Sequence, residues 1–298
     1  MAKKELSIIV VSYNTKKITQ DCLNSIQLSL EGSAINYEIL VVDNASTDGS
    51  QTILKKLAAQ SQNQLRLIIN PQNFGFGKAN NQAAKQAEGK YLLFLNSDII
   101  VLGKSISRLL TYYQQHETQI GFLGGRLLNS DLSLQPSAAW FFNLPVVFAV
   151  LFLKGDYYNL TRFSPKTPQK VDWVSGACIL TTKDRFWQIQ GFDEKIFMYM
   201  EEVDLLYRAK KHGLTTYFYP LAQFIHLGSA SSNKTYPILQ VFQGLIFFYK
   251  THYSHFSLFL LKYLLKLKAL SAILIGKFIK DNYLTTTYEQ AYQIVNMA

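Results

Sequence analysis

The run YLLFLNSDIIV, Tyr91 to Val101, reads as a buried strand interrupted by Asn96, Ser97 and Asp98. A buried carboxylate without a partner costs several kcal/mol or shifts its pKa. Asp98 therefore either caps a turn at the strand's end or faces a positive charge. His226 follows a later apolar run, TTYFYPLAQFIHLGSAS, and two glutamates, Glu201 and Glu202, come directly after the apolar and aromatic FMYM. A carboxylate with an imidazole can hold Mg2+ or Mn2+ and leave positions open for phosphate oxygens. A lone histidine is also commonly structural. A glutamate in an apolar pocket is suited to act as a base near pH 7. Cation, diphosphate and base together point to displacement at a carbon that bears a diphosphate leaving group. The plainer reading of residues 201–213 is a capped amphipathic helix. Acids head it, Lys210, Lys211 and His212 fill its last turn, Gly213 stands at C′, and Asp204 pairs with Arg208 at i,i+4.

The elements that must position these residues are legible in the first hundred positions. LSIIVVSY reads as a strand, and Asn14 or Thr15 can cap a helix whose apolar positions Ile18, Cys22 and Ile26 recur every four residues. YEILVVDNAS is a second strand, followed by a helix over about 48–59 with Ile53, Leu54 and Leu57 on one side. LRLIIN, a Gly/Asn loop, the helix KANNQAAKQA and YLLFLNSD complete the alternation. Continuous apolar strands alternating with helices imply an α/β fold with a parallel sheet covered on both faces. Ligands gather beyond the carboxyl ends of such strands. Ser12, Tyr13 and Asn14, then Asp43 and Asn44, then Asn70 and Asn73, then Asp98 should therefore line one edge. Taken alone, Asp43 would read as an N-cap or Asx-turn residue. Further on, VDWVSGACILTT has strand character with small residues at its centre, where a ligand or another backbone can approach closely. AAWFFNLPVVFAVLFLKG is intensely apolar, but it carries Pro145 and lacks the roughly 20 uninterrupted residues of a spanning helix. It reads as core, or as a flap that touches lipid or an apolar acceptor.

Composition narrows the class. The 298 residues suffice for one large domain or a domain plus an appendage. They are 48% hydrophobic and 17% charged, below the roughly 25% charge of ordinary soluble domains. Cys22 and Cys178 lie far apart without metal-ligand spacing, which excludes a disulfide framework and fits a reducing compartment. In MAKKELSIIVVSYN the apolar part, Leu6 to Val11, is shorter than the roughly 7–15 residues of a secretory h-region and reads as the first strand. The net charge is +10, and from Lys250 to Asp281 six lysines stand against one acid. Phe256 to Lys280 reads as a helix on which Lys262, Lys266, Lys277 and Lys280 fall within about 60° of one another. Such a helix suits an anionic membrane interface; a docked helix with a solvated lysine face is the alternative. No zinc-finger spacing or RNP-type motif points to nucleic acid. Neither GxxxxGK[ST] nor GxGxxG follows a strand.

Seven stretches, SIIVVSYN, LVVDNASTDGS, NFGFGKANN, YLLFLNSD, VSGACILTTKDRF, GFDEKIFMYMEEVDLLYRAKKHG and FIHLGSAS, resemble in order and approximate spacing the inverting, family-2 type glycosyltransferases of GT-A fold. The likeness is strongest to the branch with rhamnosyltransferases and related cell-surface polysaccharide enzymes, and runs from about Leu6 to Ser231. It implies a Rossmann-like, mostly parallel central sheet with helices on both faces over residues 1–240. A helical, membrane-associating region over 241–298 would follow. It also implies roles. Asp43 would contact the nucleotide base or ribose, with Ser12, Tyr13 and Asn14 alongside, and Asn73, Gly75 and Gly77 would form a loop closing over the base. Asn96, Ser97 and Asp98 stand where the family carries D-x-D; with Asn96 in place of the first aspartate, Asp98 would bind the Mg2+ or Mn2+ that bridges the donor's diphosphate. His226 matches a histidine that completes this site in some members. Glu202 stands at the second position of the family's E-D pair, usually aspartate, and would deprotonate the acceptor. Glu201 is the rival base, or orients the acceptor. Trp173, Ser175 and Gly176 would shape the sugar pocket.

The implied enzyme moves a sugar from a nucleotide diphosphate donor, dTDP-rhamnose by preference, to a lipid-linked or polysaccharide acceptor. It would do so as a peripheral protein on the cytoplasmic face of the cell membrane, with a homo-oligomer possible and no nucleic acid partner. The alternatives are a UDP-sugar transferase (galactofuranose, glucose or GlcNAc) of the same fold, or a catalytically silent membrane-bound subunit. A silent subunit would have lost the carboxylate or base positions, and here they are present. A hydrolase would need two carboxylates flanking the scissile bond.

Overall fold

The computed structural model of the chain describes residues 4–61, 64–228 and 235–298. Leu6–Ser12 (β1), Lys16–Leu30 (α1), Tyr37–Asp43 (β2), Ser50–Gln60 (α2), Leu65–Ile69 (β3), Phe76–Gln86 (α3) and Tyr91–Asn96 (β4) alternate as the apolar pattern predicts. The four strands run parallel, with β1 between β2 and β4 and with β3 beyond β2. Their residues are apolar without alternation because helices cover both faces: Ile8, Ile9, Val10, Leu40, Val41 and Val42 are all fully buried. Cys22, Leu23, Ile26 and Leu30 form the buried stripe of α1. In register, Ser12 lies opposite Asp43, Val11 opposite Asn96, and Asp43 opposite Ile69. The polar strand ends thus share one edge.

The second half departs from simple alternation. Its elements are Ile99–Val101 (β5), Ser105–Gln115 (α4), Phe122–Leu128 (β6), Leu134–Gln135 (β7), Ala138–Ala139 (β8), Leu144–Phe152 (α5), Arg162–Phe163 (β9) and Gln169–Val171 (β10). Trp173–Val174 (β11), Cys178–Thr182 (β12), Lys183–Gln188 (α6), Glu201–Lys211 (α7) and Thr216–His226 (β13) follow. The large sheet is ordered β10-β13-β6-β12-β4-β1-β2-β3, with β5 on β13 and β7 on β6. β12 runs antiparallel to both β4 and β6, whereas β13 is parallel to β6, so the sheet is mixed. The stretch VDWVSGACILTT is not one strand: Val171 ends β10, and β11 and β12 follow as separate strands. β11 pairs with β8 in a small sheet, Ser175–Ala177 break the chain's direction, and β12 enters the large sheet. Gly124 on β6 permits this layering, since a Cβ there would lie 2.6 Å from Val174 Cβ.

The chain divides into two compact units. One comprises Met1–Ala139, Phe163–Phe197 and Glu201–Ser231 and carries the large sheet; the other comprises Trp140–Arg162, Met198–Met200 and Ser232–Ala298. In the second unit, Pro145 opens α5 instead of interrupting it. Asn143 caps the helix by accepting from the Val146 N–H, and a proline in the first turn leaves no intrahelical bond unmade. Thr235–His252 (α8), His255–Phe278 (α9) and Asn282–Met297 (α10) complete the unit. α9 buries Leu261, Leu265, Ala269, Ala272 and Gly276; Gly276 lets α10 approach, its missing Cβ lying 2.6 Å from Thr285 Oγ1. Among the described residues no helix is long and apolar enough to cross a membrane. Of the FIHLGSAS stretch, Ser229, Ala230 and Ser231 lie outside the described residues.

Candidate active site

Ser97 and Asp98 form the turn from β4 into β5, and β5 pairs with the end of β13 so that Ile99 lies opposite His226. The Asp98 backbone carbonyl accepts from the Leu227 N–H at 3.0 Å, which fixes the register. Asp98 is buried, and its Oδ1 lies 3.4 Å from His226 Nε2. Asn96 Nδ2 approaches the same ring nitrogen at 3.3 Å, while Nδ1 faces Gln135 Oε1 at 2.8 Å. Among the described residues no other donor reaches the Asp98 carboxylate. A buried carboxylate beside one imidazole nitrogen is an O,N donor pair that suits Mg2+ or Mn2+, with the remaining positions left to phosphate or water oxygens. The described residues hold no group of three or more His, Cys, Asp or Glu around such a point, so the chain would supply two ligands. The residues fit the ion on those terms.

α7 presents the glutamates. Tyr199 and Met200, just before it, take left-handed φ of 64° and 73°, a conformation costing about 1–2 kcal/mol per L-residue. Glu201 is buried, and its Oε2 has no hydrogen-bond partner among the described residues. Burial, and secondarily the neighbouring Glu202 carboxylate, push the Glu201 carboxyl well above the usual range. Glu202 is half-buried and lies across Gly176: a Cβ at that glycine would sit 3.4 Å from Glu202 Cβ and 3.7 Å from its Cγ and Cδ. The next residue, Ala177, accepts from the Asn96 N–H at 3.2 Å. Glu202, Gly176, Ala177, Asn96, His226 and Asp98 are therefore contiguous. Asp204 behaves as the helix reading expects: Arg208 Nε donates to it at 2.8 Å, and the same guanidinium bonds the carbonyls of Ile189 and Gly191.

At the β1–β3 edge, Asp43 is fully buried. Its Oδ1 accepts from the Ser46 N–H at 2.9 Å, the local Asx-type bond, but its Oδ2 has no partner among the described residues. Ser12 is turned inward to the Thr19 and Thr15 hydroxyls, and Thr15 reaches Ser97 at 3.4 Å. Tyr13 is exposed. Asn14, at φ 52°, latches two turns together: its Oδ1 accepts from the Thr47 N–H, and its N–H donates to Ser46 Oγ. Asn73 Oδ1 accepts from Asn44 Nδ2 at 2.7 Å and from the Gly75 N–H at 2.9 Å. Gly75, at φ 83°, meets Phe197: a Cβ there would lie 2.4 Å from its carbonyl oxygen. At Gly77 a Cβ would lie 3.0 Å from Phe192 Cβ. These two glycines admit the chain's own 192–197 segment. Trp173 is buried and Ser175 Oγ accepts from the Ala177 N–H at 3.4 Å. Burial pushes the thiols of Cys22 and Cys178 up to about 12, which leaves both unreactive.

The sequence reading did not single out Asn129 or Gln135, and it gave Asn44 only a place on the shared edge. Asn44 is a hub whose Oδ1 accepts from Asn70 Nδ2 and the Phe74 N–H. Its signal was position: an asparagine next to Asp43 at a strand's end. Gln135 and Asn129 sit around a short turn, and nothing in their spacing sets them apart.

A family model for glycosyl transferase family 2 matches residues 7–204. The chain is similar to the N-acetylglucosaminyl-diphospho-decaprenol L-rhamnosyltransferase of Mycobacterium tuberculosis (strain ATCC 25618 / H37Rv), 28% identical over 254 residues that cover 77% of this chain and 78% of that protein. It is also similar to rhamnosyltransferase WbbL of Escherichia coli (strain K12), 29% identical over 229 residues covering 74% and 82%. Its fold is similar to the crystal structure of GalNAc-T7 with UDP, GalNAc and Mn2+, at a TM-score of 0.59 and 13% identity over 83% of this chain and 50% of that one. That likeness bears on fold alone: a mixed central sheet flanked by helices, Rossmann-like and of GT-A type, with C-terminal helices added.

Proposed function

The chain belongs to glycosyl transferase family 2, and on that premise we propose that it transfers a neutral hexose or deoxyhexose from a nucleoside diphosphate to an acceptor hydroxyl, with inversion, in cell-surface glycan synthesis. One observation carries the reading: the Asp98–His226 pair at 3.4 Å is joined through Asn96, Ala177 and Gly176 to Glu202. Asp98 and His226 are the residues that would hold Mg2+ or Mn2+, whose charge would neutralise that of the departing nucleoside diphosphate. Glu202 takes the proton from the acceptor hydroxyl, with Gly176 packed against its side chain. Glu201 keeps its own proton and does not compete. Asp43 Oδ2 accepts from the ribose or the base, which pairs an otherwise unmet buried oxygen. Trp173, Ser175 and Gly176 bring no charge to the sugar, which favours an uncharged one.

Rhamnose from dTDP-rhamnose is the narrower reading, favoured by the names of two relatives that each match about three-quarters of the chain. A panel of UDP- and dTDP-sugars, assayed for transfer with Mn2+, with Mg2+ and with chelator, separates it from UDP-hexose donors. Asp98→Ala and Glu202→Gln are each expected to lower turnover at least about 10²-fold while the circular-dichroism spectrum is unchanged. Full turnover in either variant removes its assigned role. Nucleotide binding without turnover on any donor would instead mark a silent subunit.

The same reading extends to place and acceptor: a peripheral enzyme at the cytoplasmic face of an anionic membrane, acting on a lipid-linked glycan. The exposed aromatic face of α9 supports it, with Phe256, Phe259, Tyr263 and Phe278 open to solvent on the helix that carries Lys262, Lys266 and Lys277, and with Lys280 just past its end.

A further inference from the structure

We propose that Gln135 sets how His226 presents itself: its side-chain oxygen keeps the imidazole hydrogen on Nδ1 and leaves the Nε2 lone pair facing Asp98. The inference rests on the reading of Asp98 and His226 as cation ligands, and adds a positioning residue outside every stretch that carried the family likeness.

The argument is one of hydrogen-bond polarity. Asp131 can only accept. Ser133 Oγ lies 2.6 Å from Asp131 Oδ1 and so donates to it, while the Ser133 N–H donates to the same oxygen at 3.0 Å. The Ser133 hydroxyl holds the Asp131 carboxyl below its ordinary range, which keeps it an acceptor at neutral pH. With its hydrogen committed, Ser133 Oγ accepts from Asn129 Nδ2 at 2.9 Å. Asn129 Oδ1 then faces Gln135 Nε2 at 3.0 Å, which turns Gln135 Oε1 towards His226 Nδ1 at 2.8 Å. Reversing either amide would set two donors or two acceptors face to face. The carboxylate at the far end thus fixes the sense of every bond, and an oxygen that cannot donate meets the ring, so Nδ1 carries the hydrogen. On the ring's other side Asn96 Nδ2 points at Nε2 from 3.3 Å, a donor facing a lone pair.

The competing tautomer matters because of Asp98. With its hydrogen on Nε2, His226 would donate to Asp98 Oδ1 across the 3.4 Å gap. That closed pair would aim no nitrogen lone pair at a cation. Gln135 opposes the closure by giving the hydrogen a better-aligned acceptor on the far side. Partners of this kind, behind a metal-ligating histidine, typically change metal affinity 10–100-fold when removed.

Two substitutions test the inference. Gln135→Met keeps the length of the side chain and removes the acceptor, whereas Gln135→Glu keeps an acceptor. Mn2+ affinity is read by electron paramagnetic resonance, with Mn2+ alone and with saturating UDP. The His226 tautomer is read from nitrogen-15 histidine spectra, its signals identified by their loss in His226→Asn. In Gln135→Met, Mn2+ should bind about 10–100-fold more weakly and the hydrogen should move to Nε2, with melting temperature and metal-free UDP affinity unchanged. Gln135→Glu, which keeps the acceptor for Nδ1 but turns its second oxygen towards the Asn129 Oδ1, should return the hydrogen to Nδ1 and bind Mn2+ more tightly than Gln135→Met. A hydrogen already on Nε2 in the unmodified protein, or unchanged Mn2+ affinity in Gln135→Met, overturns the inference while Asp98→Ala and His226→Asn still lose Mn2+. Mn2+ affinity indifferent to Asp98→Ala and His226→Asn overturns the ligand reading and this inference with it.

Discussion

Glu201 and Glu202 are chemically alike and one position apart, yet burial separates their roles. Glu201 is enclosed and has its carboxyl pushed upward by desolvation and by its neighbour, whereas Glu202 is half-buried against Gly176. A carboxyl raised in this way stays protonated in the folded chain at pH values where the unfolded chain has already ionised. The folded state therefore loses stability as pH climbs above the ordinary glutamate value of about 4.3. Glu201→Gln, which cannot ionise, should melt with the unmodified protein near pH 4 and above it by a margin that widens towards pH 8. Thermal melts across that range check the sign, and a margin that is constant or shrinking refutes it. Glu201→Gln should also keep transfer within about tenfold, because a protonated side chain is no base. At this scale the sequence exposed charged residues in apolar settings, Asp98, Glu201 and Glu202, since a carboxylate there demands a cause. It hid Gln135 and Asn129, whose neutral amides look the same in a surface turn as in a network that aims a histidine.

Glycines decide how closely the elements around the site can approach. Gly75 combines a φ of 83° with a Phe197 carbonyl oxygen 2.4 Å from where a Cβ would stand. Gly32, at φ 67°, has nothing within 4 Å. Gly32→Ala should then cost only the left-handed backbone term, about 1–2 kcal/mol. Gly75→Ala, at φ 83° and ψ 171° in a region essentially confined to glycine, should cost about 2–6 kcal/mol for backbone and overpacking together, as read from urea unfolding; a cost no larger than that of Gly32→Ala would refute it. The elements read most easily were β1 to β4 and their helices, where apolar runs and four-residue spacing are unambiguous. β12 was harder because a strand buried on both faces reads identically in either direction, so CILTT carries no mark of running antiparallel to YLLFL. α10 lies within the region expected to be helical, but its own residues gave no sign of its bounds, because its buried positions, Thr287, Ala291 and Val295, are small or polar and leave almost no apolar signal, although Asp281 caps it by accepting from the Leu284 N–H. Pro145 misled in the opposite sense: a residue read as an interruption marks the start of α5.

At the scale of the whole molecule, unbalanced positive charge and exposed apolar surface meet on one helix, α9, which carries lysines and no acid. Phe256 is 69% exposed, Tyr263 62% and Phe278 89%, and with Phe259, Leu270 and Leu274 they form a stripe on the side of α9 opposite Leu261, Leu265 and Ala269. At 100° per residue Lys262, Lys266 and Lys277 lie along one edge of that stripe, and Lys280 follows just past the helix's end, at φ 56°. Lys268 lies on the other edge, 5.9 Å over the Phe152 ring, with burial lowering its pKa. Lys277 sits 4.0 Å from Glu289, an exposed pair worth about 0–1 kcal/mol that lipid phosphates could replace at little cost. Near an anionic surface each lysine contributes about 1 kcal/mol, so changing Lys262, Lys266, Lys277 and Lys280 to glutamine should weaken binding to phosphatidylserine-containing vesicles by about 10²–10³-fold. Added salt should imitate the change. Replacing Phe259, Tyr263 and Phe278 with serine should abolish vesicle binding even at low salt, because charge alone does not seat a helix in the interface. A second copy of the chain is the competing occupant of the stripe, and it predicts a different pattern. The serine variant would then lower the mass seen in analytical ultracentrifugation while the lysine variant, and vesicle binding in both, stayed as in the unmodified protein. The lysines separate the two cases, since the stripe's twin on another copy would bring the same positive edge and repel it, whereas a lipid surface brings the opposite charge.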